Sequence, residues 1–181
     1  DINIDYQWNS CSINTKANIG SNSGKKLQDN QKFQVSKIKE LSRRKLDHIN
    51  SKIENIRVIK GTNFHYFSKE SQAKFFKKEY SVTKLTDRMG MRLEGERLDN
   101  IINTNIKSEG LVKGVIQIPA DGNPIIMLAD HGTIGGYPKI ATVISADFDK
   151  LSQLTPGSKI KFKGVNLKDA ETIIKKKGLA R

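Results

Sequence analysis

Residues 114–147 read GVIQIPADGNPIIMLADHGTIGGYPKIATVISAD, and this stretch decides how the chain is interpreted. Short apolar runs alternate here with loops that hold five glycines and three of the four prolines of the chain. Proline fixes φ and glycine adopts backbone conformations closed to other residues, so the loops are expected to hold a set shape. The apolar runs predict short buried strands, and the loops between them predict the functional site. The alternative is a set of tight turns in an all-β domain with no chemistry of their own.

The sequence on either side of this stretch predicts more short strands and a few short helices. One helix is expected from its cap Ser68 to about Lys78, with Phe75 and Phe76 on its buried side. A second is expected to be capped by Ser145 or Asp147, and a last one to run from Asn166 to Gly178. Strands are expected in alternating residues from Ile2 to Trp8 and in the segments IRVIK, EYSVTKL, MGMRLEG, GLVKGVIQI, PIIMLA, IATVIS and KIKF. Many short strands with few helices favour a mainly β fold, such as a barrel.

Composition excludes several classes of protein. A chain of 181 residues supports one domain or two small lobes, and its single cysteine, Cys11, cannot form an internal disulfide. No apolar run is long enough to span a membrane and no signal peptide opens the chain, so a cytoplasmic location is expected. The net charge of +13 comes mostly from lysines scattered along the chain, without the arginine clusters and aromatic platforms of nucleic-acid readers. We therefore expect neither a nucleic-acid partner nor a membrane partner, and no metal site.

The loop residues offer a recognisable set of chemical groups. Backbone N–H groups around Thr133, Gly135 and Gly136, together with the cation of Lys139, suit an anionic group such as a carboxylate or phosphate. The segment is not a P-loop, because Lys139 follows the glycines in the wrong spacing. Tyr137 either stacks on a flat ligand or serves as a packing anchor.

Acidic and basic residues near these loops have two interpretations each. Asp121 and Asp130 either accept hydrogen bonds from an amide N–H or act as a general base, or they cap turns. Arg88 either pairs with Asp87 to fix a turn or clamps a substrate carboxylate. His131 is expected to be a surface or hydrogen-bonded residue.

Several blocks of the sequence resemble one known family in the same order along the chain. They are IRVIKGTNFHYF, EYSVTKLTDRMGMRLEG, SEGLVKGVIQIP, QIPADGNPIIMLADHGTIGGYPKIATVISAD and LSQLTPGSKIKF, and together they cover about residues 53–172. The family contains the C subunit of 5-oxoprolinase, allophanate hydrolase subunit 2, the carboxyltransferase-like region of urea amidolyase and the KipI antagonists. The resemblance implies a cyclophilin-like β-barrel at 55–181, with 1–54 forming the end of an N-terminal lobe and a partly helical connector. It also implies that the chain, which opens with Asp1, is an N-terminally truncated fragment with little activity alone.

The resemblance further implies a subunit that acts on a small cyclic amide or urea-like compound. In 5-oxoprolinase, 5-oxoproline is opened to glutamate with ATP hydrolysis, alongside two companions, a KipI-like B subunit and an A-type subunit. No covalently bound cofactor is expected. ATP is expected in the assembled complex, and carboxybiotin delivered by another domain, as in urea amidolyase, is left open. The implied catalytic residues are Asp121, Asp130 and Lys139, and the implied substrate-binding residues are Arg88, Gln117, Thr133, Gly135, Gly136 and Tyr137.

Two other functions stay open at this point. The chain could be a non-catalytic regulatory protein resembling the KipI antagonists, which would bind a homologous partner through one face of the barrel. It could also be a folded product of a decaying gene.

Overall fold

A computed structural model of the chain describes residues 2–36, 55–101 and 105–177. The chain divides into two compact units, Asp1–His48 and Ile49–Arg181. Nearly all of the connector expected at 36–54, and the end expected for the last helix at Gly178, lie outside the described residues. The domain boundary expected after residue 54 stays a prediction.

The first unit contains two small antiparallel sheets joined by polar turns. Strand β1 pairs with β4, and β2 pairs with β3. Their bounds are Ile2–Asn3 for β1, Ile13–Asn14 for β2, Ile19–Gly20 for β3 and Gln34–Val35 for β4. The strand expected from Ile2 to Trp8 is wrong beyond Asn3: Trp8 has a φ of 50°, which ends extended backbone.

The second unit contains nine strands and three α-helices within the described residues. The strands are β5 (Asn55–Lys60), β6 (Tyr80–Val82), β7 (Gly90–Glu94), β8 (Glu109–Gly110), β9 (Val115–Gln117), β10 (Ile125–Met127), β11 (Ile134–Gly135), β12 (Lys139–Val143) and β13 (Lys159–Gly164). The helices are α1 (Lys69–Lys77), α2 (Ser145–Ser152) and α3 (Leu167–Lys176).

Seven of these strands close into a barrel, in the order β10, β7, β6, β13, β5, β12, β9 and back to β10. The pairs are antiparallel except β5 with β13, which is parallel. The expected β-barrel is therefore confirmed. Its interior is filled by branched aliphatic side chains such as Ile116, Ile126 and Ile140, each 0% exposed. Outside the start of β12, side chains along the strands alternate between this core and the outer face.

Helices α1 and α3 begin where their caps predict. The Ser68 side chain accepts a hydrogen bond from the backbone N of Ser71 at 3.1 Å, and Asn166 does the same for Asp169 at 2.8 Å. Helix α1 packs on the barrel through Phe75, whose ring stacks on Phe162 with 4.5 Å between centroids. No helix within the described residues is both long enough and apolar enough to cross a membrane.

Helix α2 starts differently from the prediction. Its N-cap residue is Ile144, which provides no side-chain cap, so capping by Ser145 or Asp147 is wrong. The Asp147 carboxylate instead binds Arg57 on β5, accepting from its backbone N at 2.9 Å and from its guanidinium at 2.8 and 2.5 Å. The Asp147 carboxylate, which the local sequence predicts as a helix cap, is used in a long-range ion pair instead.

Candidate functional site

A β-bulge at the start of β12 turns Lys139 onto the outer face of the barrel. Lys139 is the cross-strand partner of Gln117 on β9, and Ala141 is the partner of Ile116, so Ile140 is the extra residue. Both Ile140 and Ala141 belong to the barrel core. The bulge thus lets two consecutive apolar residues enter the core while Lys139 and Gln117 stand side by side outside it.

The strands β8 and β11 form a small antiparallel sheet of their own. The backbone N of Leu111 donates to the carbonyl of Thr133 at 2.9 Å and extends the pairing. Leu111 packs in a separate apolar cluster with Val115 and Met127, which lie on β9 and β10. Because Ile116 and Ile126 of the same strands point into the core, this cluster lies on the outer face. The β8–β11 sheet therefore lies over the wall that carries Gln117 and Lys139.

Lys139 forms an ion pair with Glu109 of β8. Its Nζ donates to Glu109 Oε2, and its side chain is only 10% exposed, whereas that of Glu109 is 41% exposed. Asn63 holds the lysine backbone: its Oδ1 accepts from Lys139 N at 3.0 Å, and its own N donates to the Lys139 carbonyl at 3.2 Å. The buried cation thus has a carboxylate partner, which is what a charge removed from water requires.

The pKa of the Glu109 carboxyl is lowered from its ordinary value. The hydrogen bond from Lys139 is the main cause; partial desolvation opposes it, and the charge of Lys139 and a hydrogen bond from the Asn63 side chain add to it. Glu109 therefore favours its carboxylate form in this cluster.

Gly135 and Tyr137 surround the Gln117 amide. Gln117 is 4% exposed, and its Nε2 donates to the Tyr137 carbonyl at 3.1 Å. A Cβ at Gly135 would lie 2.8 Å from Gln117 Nε2 and 2.8 Å from Leu111 Cδ1, so any larger residue here would have to shift the ends of these side chains. The Tyr137 side chain is exposed next to this contact.

Two further predicted residues contribute backbone groups to the same region. The Gly136 carbonyl accepts from Ile106 N at 2.8 Å, and the Thr133 carbonyl accepts from Leu111 N at 2.9 Å. The structure therefore brings together Gln117, Thr133, Gly135, Gly136, Tyr137 and Lys139. Their roles in binding or catalysis stay predictions.

Arg88 and Asp130 form a pair of their own. Arg88 Nε donates to Asp130 Oδ2 at 2.6 Å and Arg88 Nη2 to Oδ1 at 3.1 Å, and the Asp130 backbone N donates to the Arg88 carbonyl at 3.0 Å. Asp87 accepts from the backbone N of Met89 at 2.8 Å, as expected for a side chain that fixes a turn. The bidentate partner of Arg88 is thus Asp130, 42 positions away, and not its neighbour Asp87.

Asp121 lies in the turn between β9 and β10 and forms an Asx turn. Its Oδ1 accepts from the backbone N of Asn123 at 3.0 Å. With Arg92 and Glu94 it lines a depression of about 320 Å³ that includes neither Lys139 nor Gln117. The structure therefore does not bring Asp121 to the Lys139 cluster.

A larger groove, of about 760 Å³, lies at the carboxyl ends of β5 and β13. Lys60, Lys163 and Asp169 line it together with Phe76. None of the residues predicted for the site lines this groove, so its size alone does not make it the functional site. Within the described ranges, no group of three or more His, Cys, Asp or Glu is placed to hold a metal ion.

Sequence reasoning missed Glu109 and Asn63. Both stand in blocks that carry the family resemblance, SEGLVKGVIQIP and IRVIKGTNFHYF, but neither has a neighbour that signals an ion pair. Their importance comes from tertiary contacts: Glu109 pairs with a lysine 30 residues away, and Asn63 bonds to the same lysine across 76 residues.

The cluster presents one cation, one carboxylate and two side-chain amides beside a glycine-rich backbone. Amides both donate and accept hydrogen bonds, and an ammonium group prefers a carboxylate or another anion. Groups of these kinds can hydrogen-bond to an amide or ureido group and can pair with a negative charge.

Comparison with known proteins identifies the family. A model described as carboxyltransferase domain, subdomain A and B, matches residues 1–164. The chain is 33% identical over 171 residues to the C subunit of 5-oxoprolinase from Escherichia coli (strain K12), a match covering 93% of this chain and 55% of that protein. It is 35% identical over 177 residues to the corresponding 5-oxoprolinase C subunit of Haemophilus influenzae, covering 93% and 54%. The chain thus spans about half the length of these curated relatives.

A solved structure supports the same fold. The urea amidolyase of K. lactis aligns with a TM-score of 0.78 at 22% identity, over 98% of this chain and 12% of that one. Because the identity is low, this likeness bears on the fold alone. The family model matched over residues 1–164 identifies the chain, which belongs to the carboxyltransferase domain, subdomain A and B, family.

Proposed function

We propose that this chain is part of a 5-oxoprolinase C subunit, or of a closely related protein, in an ATP-dependent complex acting on a small cyclic amide or urea-like substrate. The observation that carries the proposal is the buried Lys139 beside Gln117, in a chain about one-third identical to two proteins named as the C subunit of 5-oxoprolinase. The proposed location is the cytoplasm, in keeping with an exposed Cys11 that has no second cysteine to pair with.

The groups around Lys139 match those of 5-oxoproline. This compound carries a carboxylate, which suits an ammonium group, and a lactam, whose N–H and C=O suit the Gln117 amide. Opening the ring adds water across the lactam C–N bond and yields the amine and second carboxylate of glutamate. We propose that this chain binds and orients the ring, and that Asp130 or Asp121 would take part only if the assembled complex brings them to the substrate.

ATP is proposed to bind on a companion protein of the complex. The segment around Gly135 lacks P-loop spacing, so the cluster does not suit a triphosphate. The proposed companions are a KipI-like B subunit and an A-type subunit of 5-oxoprolinase. Carboxybiotin delivered by another domain is a second candidate ligand, because its ureido ring also presents N–H and C=O groups.

A regulatory role resembling that of the KipI antagonists is the alternative. One observation favours it: Ile134 on β11 and Val112, two residues beyond β8, are exposed apolar side chains. Exposed apolar residues of this kind suit contact with another protein.

Reconstitution separates the two functions. The chain, alone and extended to the length of its curated relatives, is co-purified with the companion subunits, and ATP-dependent conversion of 5-oxoproline to glutamate is measured. Turnover that requires this protein supports the role in the hydrolase. Stable association with no turnover in either form would contradict it and favour the regulatory role.

A further inference from the structure

We infer that Glu109 competes with the anionic group of the ligand for Lys139, so that an arriving carboxylate displaces Glu109 from Lys139 Nζ. The inference rests on the proposed function for the identity of the natural ligand, but its mechanism rests on the contacts of Glu109 itself. It assigns Glu109 a role in setting ligand affinity, distinct from holding the fold together.

The two partners of the ion pair differ in how readily they can move. Lys139 lies on a barrel strand, its side chain is 10% exposed, and Asn63 holds its backbone N–H and carbonyl through bonds of 3.0 and 3.2 Å. Glu109 lies on a strand of two residues and its side chain is 41% exposed. A buried ammonium group needs a partner at all times, whereas a half-exposed carboxylate can turn into water at little cost.

The cross-strand partner of Glu109 is Gly135, so no side chain packs directly opposite it on the two-stranded sheet. A hydrogen bond from the Asn63 side chain and the bond from Lys139 hold the carboxylate. A ligand carboxylate can replace Glu109 on Lys139 without leaving a buried charge unpaired, and this exchange lowers the net affinity for the ligand.

A purely structural role for Glu109 makes the opposite prediction. If Glu109 only stabilises the β8–β11 sheet, removing its charge loosens that sheet. Ligand binding is then weaker or unchanged. Competition predicts tighter binding of an anion once the carboxylate charge is gone. The direction of the affinity change therefore distinguishes the two roles.

The experiment is a titration of acetate, a generic carboxylate, followed through the ε-methylene NMR resonance of Lys139, which is assigned by its loss in Lys139→Arg. We expect Glu109→Gln to bind acetate roughly threefold or more tightly than the wild type, as for loss of a partly exposed competing ion pair. The matched control is Glu79→Gln, because Glu79 is 43% exposed and pairs with Lys159 at 3.1 Å. Glu79→Gln makes the same change in net charge and is expected to leave acetate affinity unchanged.

Unchanged or weaker acetate binding by Glu109→Gln overturns the inference. So does an equal gain in acetate affinity in Glu79→Gln. The inference is also overturned if acetate shifts the Lys139 resonance in none of the variants. If Glu109→Gln does not fold, Glu109→Asp decides: its shorter carboxylate reaches Lys139 less well, so acetate should bind more tightly than to the wild type, and equal or weaker binding overturns the inference. A second titration uses 5-oxoproline. If acetate displaces Glu109 from Lys139 but 5-oxoproline does not bind, the inference about Glu109 stands and the proposed function is contradicted.

Discussion

Gln117 Nε2 donates to the carbonyl of Tyr137 at 3.1 Å and so ties the wall strand β9 to the segment that leads into Lys139. Gln117 and Lys139 are also cross-strand partners, so Gln117 contacts the chain both at Lys139 and two residues before it. A buried glutamine at this position is costly unless it is hydrogen-bonded, and its bond connects the barrel wall to the candidate site.

Gln117→Met should reduce both stability and ligand affinity. Methionine keeps the length of the side chain but leaves the Tyr137 carbonyl without its donor, which costs about 1–2 kcal/mol of unfolding free energy. The control is Gln72→Met, because Gln72 Nε2 donates to the Phe64 and Phe67 carbonyls at 3.2 and 2.9 Å. Urea unfolding should show similar losses for both variants, while calorimetry should show weaker 5-oxoproline binding only for Gln117→Met. Equal affinities would remove Gln117 from the site.

Gly135→Ala should disturb the site through one added methyl group. Its Cβ would lie 2.8 Å from Gln117 Nε2 and from Leu111 Cδ1, so the ends of these two side chains must shift. The control is Gly110→Ala on the neighbouring strand, where an added Cβ meets nothing within 4 Å. We expect a loss of about 1–3 kcal/mol in unfolding free energy and weaker ligand binding for Gly135→Ala. If Gly110→Ala loses as much unfolding free energy and ligand affinity, the effect comes from placing alanine in this sheet and not from the contacts at Gly135.

The ion pair between Asp147 and Arg57 should make stability fall in acid. Burial by itself raises the pKa of the Asp147 carboxyl, but hydrogen bonds from the side chain and backbone of Arg57, with the charges of Arg57 and Lys177, bring the pKa below its ordinary 3.8. The contribution is therefore present above about pH 4 and is lost as pH falls through the lowered value.

Asp147→Asn tests this pair. Breaking it leaves the guanidinium without its carboxylate, so unfolding free energy should fall by about 2–3 kcal/mol at pH 7, with a smaller difference from the wild type at pH 2–3. Asp149→Asn, an exposed change on the same helix, serves as control and should alter stability by less than about 0.5 kcal/mol. A difference between Asp147→Asn and the wild type that persists undiminished in acid would contradict the assignment.

Much of the fold could be predicted from local sequence, and most of the site could not. Ser68 and Asn166 cap their helices as expected, because a cap depends on residues three positions away. Asp147 does not, because Arg57 reaches it across 90 residues. Barrel closure was expected from the many short strands and from the family resemblance.

The site depends on register, which local pattern does not contain. Because of the bulge after Lys139, the side chain of Lys139 faces Gln117 and not the core. No residue in the run PKIATV predicts this bulge. The partner of Lys139 is Glu109, which lies just before the segment GLVKGVIQI that the sequence predicts as a strand. Asp121 illustrates the converse: its position in the signature suggested chemistry, and its hydrogen bond is that of a turn.

The Arg88–Asp130 pair should contribute little to stability. Its side chains are 72% and 38% exposed, and exposed pairs are weak even when bidentate. A double-mutant cycle with Arg88→Gln and Asp130→Asn should give a coupling energy of about 0.5–1 kcal/mol that shrinks at 1 M salt. If Arg88 binds substrate as predicted, Arg88→Gln also weakens 5-oxoproline binding; unchanged affinity would leave the pair as a link between two loops.

The most direct test of the site is calorimetric titration of 5-oxoproline into the wild type, Lys139→Met and Lys159→Met. Methionine preserves the buried stem of Lys139 and removes its charge, and Lys159 provides an exposed lysine paired with Glu79 as the matched control. The account predicts binding to the wild type, at least about tenfold weaker binding to Lys139→Met from loss of a charged hydrogen bond, and no change in Lys159→Met. Binding of 5-oxoproline to Lys139→Met as tight as to the wild type would contradict it.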